Sequence, residues 1–524
     1  MNSSEKMIRL MEEQLAFSKQ QINDLSKQNH ELLNQIEVLT EQVRQLTKMI
    51  YGSRTEKSKY QAPDGQCSLF DDDPSFNEAE HTDSQSTETV TYTVIRSKKK
   101  RNDSFKEGVA VEEIHHYPSS LTCTCCQSDL HEIGTTMARE EAKIIPARIV
   151  RVQHIEHAYE CKECKKDTER AAYISKGKAP AAAIPRSVAS PELLAKIVSD
   201  KFSLYLPLYR QVKELERMGL QTNDKNLSNW VIRVAEDWLL PIYEKMKNIL
   251  STKSLLHIDE TIAQVLNRSD GKSGQSNAYN WVFRTVPTEG PVIILFHHAL
   301  TRSRDVLKEY LAGFEGTVIC DGYSAYDKLP NIKFANCMAH VRRYWLKAES
   351  KNGRKGLAYC NKLYELERRF KGLPPKQRQK MRWKHSRKII RKFFSWLEKS
   401  QFYGKNALAT ATEYTLNRKK QLKEFLYNGQ IEIDNNPAEN AIRPSVIGRR
   451  NWLFSVSEAG ARANAICLSL AETAKANGID FYQYLVNLFT DLPNIPFHQQ
   501  PELLEDYMPW SENIQATCGT IKAA

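Results

Sequence analysis

Leu255-Leu-His-Ile-Asp-Glu-Thr261 and Thr317-Val-Ile-Cys-Asp-Gly-Tyr-Ser-Ala-Tyr326 each read as an apolar strand that ends in an acid. A carboxylate buried in a sheet is costly unless it is paired or bound to metal. Two such acids on neighbouring strands, Asp259 and Asp321, would repel, and a divalent cation removes that penalty. The runs around them extend the pattern. Leu255 to Leu266, Tyr279 to Val286 and Pro291 to Leu300 are strand-like, with turns at Asp270 to Gly274 and Pro287 to Gly290. A short helix, Ser303 to Ala312, then leads to strands Thr317 to Cys320 and Lys333 to Met338.

Three meandering strands, a helix and two further strands are the order that a ribonuclease-H-like sheet requires. A third acid stands far downstream in Ile433-Asp-Asn-Asn-Pro-Ala-Glu-Asn-Ala-Ile-Arg-Pro444. Asn436 suits an N-cap and Pro437 the first helical position, which places Glu439 in the first turn. There the helix dipole keeps a carboxylate ionised. Three oxygen donors with room for water and phosphate suit Mg²⁺ or Mn²⁺, and a two-metal site can clamp the attacking and leaving oxygens of a phosphoryl transfer. Asp327 and Asp434 are the nearest substitutes for any member of the set.

Between the second and third acids the chain is helical and very basic. From Arg342 to Lys405 there are 21 Lys/Arg against 4 Glu and no Asp, a surplus of +17 that exceeds the +12 of the whole chain. Such a face self-repels unless a polyanion lies beside it, so a DNA-facing insertion is expected. Tyr344, Trp345, Phe370, Trp383, Phe393, Phe394 and Trp396 are interleaved with the charge, part of them as helix core. Upstream, Tyr209 to Met218 and Asn226 to Ala235 read as two short helices joined at Gly219 to Lys225, a shape that suits a helix-turn-helix.

The 524 residues contain 11 cysteines. The first 14 residues have no apolar signal region, and no run is long and apolar enough to span a membrane, so a cytoplasmic protein is expected, nucleoid-associated when on DNA. Cysteines in a reducing compartment point to metal rather than disulfides. Cys123 and Cys126 form one CxxC pair, Cys161 and Cys164 another, which is the spacing of a tetrahedral structural Zn²⁺. Cys125 lies one residue from Cys126 and complicates the first knuckle. The N-terminal stretch carries heptads, with Ile22, Asn29, Ile36, Val43 and Ile50 at a and Leu25, Leu32, Leu39 and Leu46 at d. That split favours a parallel two-stranded zipper and hence a homodimer or higher oligomer.

These motifs resemble the insertion-sequence sixty-six (IS-66) family of bacterial transposases. The resemblance rests on Ile50-Tyr-Gly-Ser-Arg-Thr-Glu-Lys57, the two CxxC pairs, His257-Ile-Asp-Glu-Thr261, Asp321-Gly-Tyr-Ser-Ala-Tyr326, Ala339-His-Val-Arg-Arg343 and Asp434 to Pro444. Gly448-Arg-Arg-Asn-Trp-Leu-Phe454 and Glu472-Thr-Ala-Lys-Ala-Asn-Gly478 complete it. It implies a DDE transposase with Asp259, Asp321 and Glu439 as catalytic metal ligands. A helical insertion is expected before the Glu, and two small accessory proteins of the same element become candidate partners. One departure is Gln127, where the family usually has glycine after the second cysteine. Arg342, Arg343, Arg443, Arg449 and Arg450 are expected to face DNA, as is Trp452, with core packing the alternative for the tryptophan.

The fold expected is multidomain α+β. A coiled coil (1–52), a disordered linker (53–108), a zinc-binding domain (109–178) and a helical region (179–252) come first. A ribonuclease-H-like core in two parts (253–340 and 431–490) follows, interrupted by the basic insertion (341–430), and the chain closes on a loosely docked tail (491–524). The function expected is binding of terminal inverted repeats, cleavage that frees 3′-hydroxyls, and joining to target DNA. The alternatives are a nuclease on the same fold and a domesticated DNA-binding protein with an inactive core. The zinc reading predicts about one bound zinc per chain and its loss in Cys161→Ser. It also predicts a melting transition that chelator removes; calorimetry unchanged by chelator overturns it.

Overall fold

The computed structural model describes residues 147–160, 174–323, 331–400 and 406–519, short pieces between 111 and 142, and Tyr326, Leu329 and Phe402. The zipper, the linker, the four CxxC cysteines and Asp327 lie outside the described residues. A small antiparallel pair, β1 (Ala158–Glu160) and β2 (Ile174–Lys176), precedes the main body. No helix among the described residues is long and apolar enough to cross a membrane.

Helices α1 (Pro191–Phe202), α2 (Leu208–Arg217) and α3 (Asp224–Val234) come first. Asn223 caps α3 through its side chain, which accepts from the Asn226 amide at 2.8 Å. The helix does not stop near Ala235 as its sequence suggests. It runs through a π turn, Ala235–Leu239, into α4 (Leu240–Ser251). Pro241 supplies the reason: it has no N–H to donate and its ring crowds the carbonyl four residues back, and a wider turn relieves both.

The central sheet has five strands in the order β6-β5-β3-β7-β8. These are β3 (Leu255–Ala263), β5 (Ala278–Thr285), β6 (Ile294–Ala299), β7 (Thr317–Cys320) and β8 (Lys333–Asn336), with α5 (Arg304–Tyr310) between β6 and β7. The first three pair antiparallel, while β3–β7 and β7–β8 are parallel. The run Leu255 to Leu266 is not one strand. It breaks at Gln264, and β4 (Val265–Asn267) leaves the sheet to pair with β9 (Ser455–Ser457).

Alternation along β3 feeds two cores. Leu256 and Ile258 join a cluster with Val198, Met246, Leu468 and Leu485. Leu255 joins Ile319, Ala335, Trp345, Leu363 and Phe393 on the other side. The first cluster includes α12 (Glu458–Ala476) and α13 (Phe481–Asp491). Along α12, Ser469 Oγ accepts from the Phe296 amide at 2.7 Å, and Thr473 Oγ1 accepts from the Ile294 amide at 3.0 Å and donates to the Ile294 carbonyl at 2.9 Å. Edge strand β6 is thereby closed to further pairing. The C-terminal tail is not loosely attached. Phe497, Leu504, Met508 and Ile514 are buried in the same cluster, the last on α14 (Glu512–Cys518), because its apolar residues supply core that α13 alone leaves open.

The basic segment builds the second core. It comprises α6 (Met338–Lys347), α7 (Lys351–Phe370), α8 (Pro375–Met381), α9 (Arg387–Lys399) and α10 (Ala407–Asn417). Trp345, Phe370, Phe393 and Phe394 are core, Trp396 stacks on Tyr359 at 5.8 Å, and Trp383 is exposed. On α9, Ile390, Phe393, Phe394 and Leu397 point inward while Arg387, Lys388, Arg391, Lys392 and Lys399 are exposed. Arg382 breaks the pattern by being fully buried. Its Nε and Nη2 grip Glu367 at 2.9 and 2.7 Å, and its Nη1 donates to the carbonyls of Phe425, Asn428 and Ile431 at 2.9, 3.1 and 2.8 Å. Removing one partner of such a pair strands the other charge. Arg382→Ala is therefore expected to destabilise the protein by about 3–5 kcal/mol, read as a lowered denaturation midpoint; an unchanged midpoint would remove this cation from the fold's supports.

Candidate active site

The parallel register of β3 and β7 aligns Leu255 with Thr317, Leu256 with Val318 and His257 with Ile319, a constant offset of 62 positions. Continued by two residues, that offset brings Asp259 level with Asp321. Side chains alternate along a strand, so both acids share the face of Leu255 and Ile319, toward the basic helical segment. Glu439 reaches the same place from α11 (Asn436–Trp452), which packs on β3.

Burial holds the Asp259 carboxyl well above the ordinary carboxylate range, and the charges of Glu260, Asp321 and Glu439 push it further. Its Oδ1 accepts from the Glu260 amide at 2.9 Å, which offsets only part of that cost. Asp321 Oδ1 accepts from the Tyr323 amide at 2.9 Å, a local turn that aims the carboxylate. Arg418 donates to the Gly322 carbonyl, and a Cβ at position 322 would have to displace its guanidinium and the Tyr414 hydroxyl.

Glu439 is buried and engaged. Arg343 Nη2 donates to both of its oxygens, at 3.1 and 3.2 Å. The same guanidinium donates through Nη1 to His340 Nε2 at 3.2 Å. That leaves the His340 proton on Nδ1, which stands 4.0 Å from Glu439. Burial, with Arg343 and Arg418 nearby, lowers His340 to about 3, so the ring is neutral. Among the described residues, Cys337, His340 and Glu439 are the trio whose ligand atoms lie within 4.8 Å of one another. Burial pushes the Cys337 thiol up, and its sulfur accepts from the Asn435 amide at 3.2 Å. It is therefore a protonated structural thiol rather than an open ligand. The Asp259 carboxyl feels the charges of Asp321 and Glu439, but these three are not among the described groups whose ligand atoms all lie within 4.8 Å of one another. Their hard oxygen donors, and the repulsion that loads protons onto Asp259, fit divalent cations shared across a two-ion site.

Asn435, not Asn436, is the N-cap residue, one position earlier than the sequence suggests, and its side chain does not cap. Its Oδ1 accepts from His257 Nδ1 at 2.9 Å, and its Nδ2 donates to the Ile258 carbonyl at 2.9 Å. Burial lowers His257 to about 4, which keeps it neutral. Sequence reading also missed the opposite face of β3, where Arg302 Nε donates to Glu260 at 2.6 Å and the Tyr326 hydroxyl donates to it at 2.6 Å. The signal was present: a charge directly after Asp259 in a buried strand must point the other way and needs its own partner.

The cations expected at DNA have diverse surroundings. Arg342 donates to Asn361 at 2.8 Å, Arg343 holds Glu439, and Arg449 donates to the Ile262 carbonyl. Arg443 is half-buried and Arg450 exposed. Trp452 packs edge-on against Phe202, centroids 6.0 Å apart, with the Lys201 ammonium 5.0 Å from its ring.

A model described as the transposase IS66 family matches residues 186–463. The zinc-finger binding domain of transposase IS66 matches 120–165, a range containing all four CxxC cysteines. The IS66 C-terminal element matches 469–510, and the transposase C of IS166 homeodomain matches 38–114. Sinorhizobium fredii has similar proteins. The uncharacterized protein y4jD is 28% identical over 412 residues, 75% of this chain and 78% of its own. The uncharacterized protein y4hP is 27% identical over 429 residues, 77% and 75% of the two chains.

Asp434, beside this site, sets a pH dependence. Burial raises its carboxyl to about 6 from an ordinary 3.8, against the pull of the Asn436 amide. The folded chain thus binds this proton more tightly than the unfolded chain, and the stability it contributes is lost as pH rises from about 4 to about 6. Asp434→Asn should gain on the native chain by up to about 3 kcal/mol across that interval and hold its lead above it. Urea titrations without divalent cations read this; a difference that does not vary with pH overturns it.

Proposed function

The chain belongs to the IS66 transposase family, and we propose that it is a DDE-type DNA transposase whose catalytic carboxylates are Asp259, Asp321 and Glu439. The observation that carries the reading is the β3–β7 register, which levels the two aspartates on one face, with Glu439 close enough to raise the proton affinity of Asp259. The strand order β6-β5-β3-β7-β8, with two antiparallel pairs on one side of β3 and two parallel pairs on the other, supports a ribonuclease-H-like core.

In this mechanism Asp259, Asp321 and Glu439 hold Mg²⁺ or Mn²⁺. When bound, the ions supply Lewis-acid polarisation of the scissile phosphate and neutralise charge on the attacking and leaving oxygens. The chain's own groups do the positioning. His257 and Asn435 fix the middle of β3 against the start of α11. Arg343 balances Glu439 before the site is loaded. Glu260 is kept from competing by Arg302 and Tyr326 on the opposite face. The exposed cations of α9 offer a phosphate-binding surface for duplex DNA. Cys123, Cys126, Cys161 and Cys164 hold structural zinc, and the N-terminal zipper pairs two chains, as synapsis of two terminal inverted repeats requires. The accessory proteins of the same element are further partners in this scheme.

A duplex carrying the element's own terminal repeat tests the proposal. With Mg²⁺, the full chain should cleave at the 3′ end and join that end to a target duplex. Asp259→Ala, Asp321→Ala and Glu439→Ala should each lose cleavage by about 10²–10³-fold or more while still retarding the DNA in a gel. A variant that still cleaves removes its residue from the site. Cleavage without joining would make the protein a nuclease.

A further inference from the structure

The end of α11 carries a strained turn that the proposed chemistry does not use. Leu453 has φ 64° and ψ −58°, and the Trp452 carbonyl accepts from the Phe454 amide at 2.8 Å. These are the marks of a classic γ-turn, which is rare and strained. Leucine lacks the freedom of glycine at positive φ, so the conformation persists only because its surroundings impose it.

Both ends of the turn are clamped. On one side the Trp452 indole lies where a Cβ on Gly448 would be, and it packs on Phe202. Asn451 Nδ2 adds a bond to the Tyr205 carbonyl at 3.0 Å. On the other side the Ser455 amide donates to the Gln264 carbonyl at 2.9 Å, and β9 pairs with β4. The apex faces outward. Leu453 is 61% exposed and Phe454 40%, and Ile447, Ile262 and Val456 are exposed close by in the chain or the sheet. A fold that needed only a reversal here would do better with glycine.

What lies upstream on α11 indicates the partner. Arg443 and Arg450 follow Glu439 by four and eleven residues, roughly 40° and 20° from it around the helix, so they share its stripe. The apex is fourteen residues beyond Glu439, roughly 21 Å along the axis, or about six base-pair steps of 3.4 Å. An apolar tip alone could suit a protein. An apolar tip in line with two cations that lead out of a phosphoryl-transfer site suits duplex DNA, where apolar wedges unstack base steps.

We infer that Leu453 and Phe454 form an apolar wedge that enters the base stack of bound duplex about six base pairs from the cleaved bond, with Arg443 and Arg450 along the intervening backbone. This rests on the transposase reading above. The strain keeps the tip extended and rigid, so the wedge is in place before DNA arrives.

The test uses the full chain as Asp259→Ala, so that strands stay intact. The probe is a 40-base-pair duplex spanning the element's terminal repeat and its flank, with 2-aminopurine at one position at a time. Fluorescence should rise at least about twofold at one or two adjacent positions near the sixth step and stay flat elsewhere. Adding Leu453→Gly or Phe454→Ala should abolish most of that rise. The affinity for the duplex should stay within about threefold, and the melting temperature of the Leu453→Gly protein should be unchanged or higher. If Leu453→Gly loses both signal and stability, the Phe454→Ala protein decides. A flat signal at every position under saturating protein overturns the wedge, as does a rise that both substitutions leave intact. Cleavage of the same duplex by the native chain is scored separately. Cleavage without unstacking refutes the wedge alone, unstacking without cleavage refutes the catalytic reading alone, and failure to bind the duplex refutes both.

Discussion

The buried carboxamide of Asn435 joins three parts of the molecule that are far apart in sequence. Its oxygen takes the His257 proton, its amide nitrogen holds the Ile258 carbonyl, and its backbone N–H points at the Cys337 sulfur. Those contacts tie the middle of β3, the start of α6 and the start of α11. The carboxylates at issue follow directly from two of these elements: Asp259 is the next residue after Ile258, and Glu439 is one helical turn after Asn435. A neutral amide suits the position. An ionised group would add to the repulsion among Asp259, Asp321 and Glu439, and an apolar one would leave His257 and the strand carbonyl unpaired.

The same economy of charge runs through the basic segment. Its +17 surplus looks uniform in the sequence, but the fold sorts it. Arg382 is an internal strut between Glu367 and three carbonyls, and Arg343 pairs with Glu439. What remains on the outside of α9 is a row of cations backed by an apolar face. One sequence segment therefore provides a second hydrophobic core for the sheet, a partner charge for Glu439 and an exposed row of cations.

Much of this was legible beforehand because it is local. Apolar runs leading into acids marked β3 and β7, and Asn and Pro marked the start of α11 to within one residue. The errors came where a partner outside the segment decides the outcome. The strand beginning at Leu255 stops at Ala263 because β9 captures the next residues. The helix from Asp224 continues past Ala235 because a π turn accommodates Pro241. The tail after Pro493 is anchored because Phe497, Leu504 and Ile514 find space beside α13, which no local pattern could reveal.

By itself the sequence determined which residues could carry the chemistry: two acids that follow apolar strand residues and one at the beginning of a helix, a basic helical insert, two cysteine pairs and a heptad array. These depend on periodicity, capping and spacing, which act over a few residues. Only the tertiary structure decided how they meet. It set the parallel register that levels Asp259 with Asp321, the pairing of Arg343 with Glu439, the partners that hold Glu260 out of the site, and the clamp that strains Leu453. Each of these depends on contacts between segments tens to hundreds of residues apart, where packing and electrostatics, not local preference, choose the neighbour.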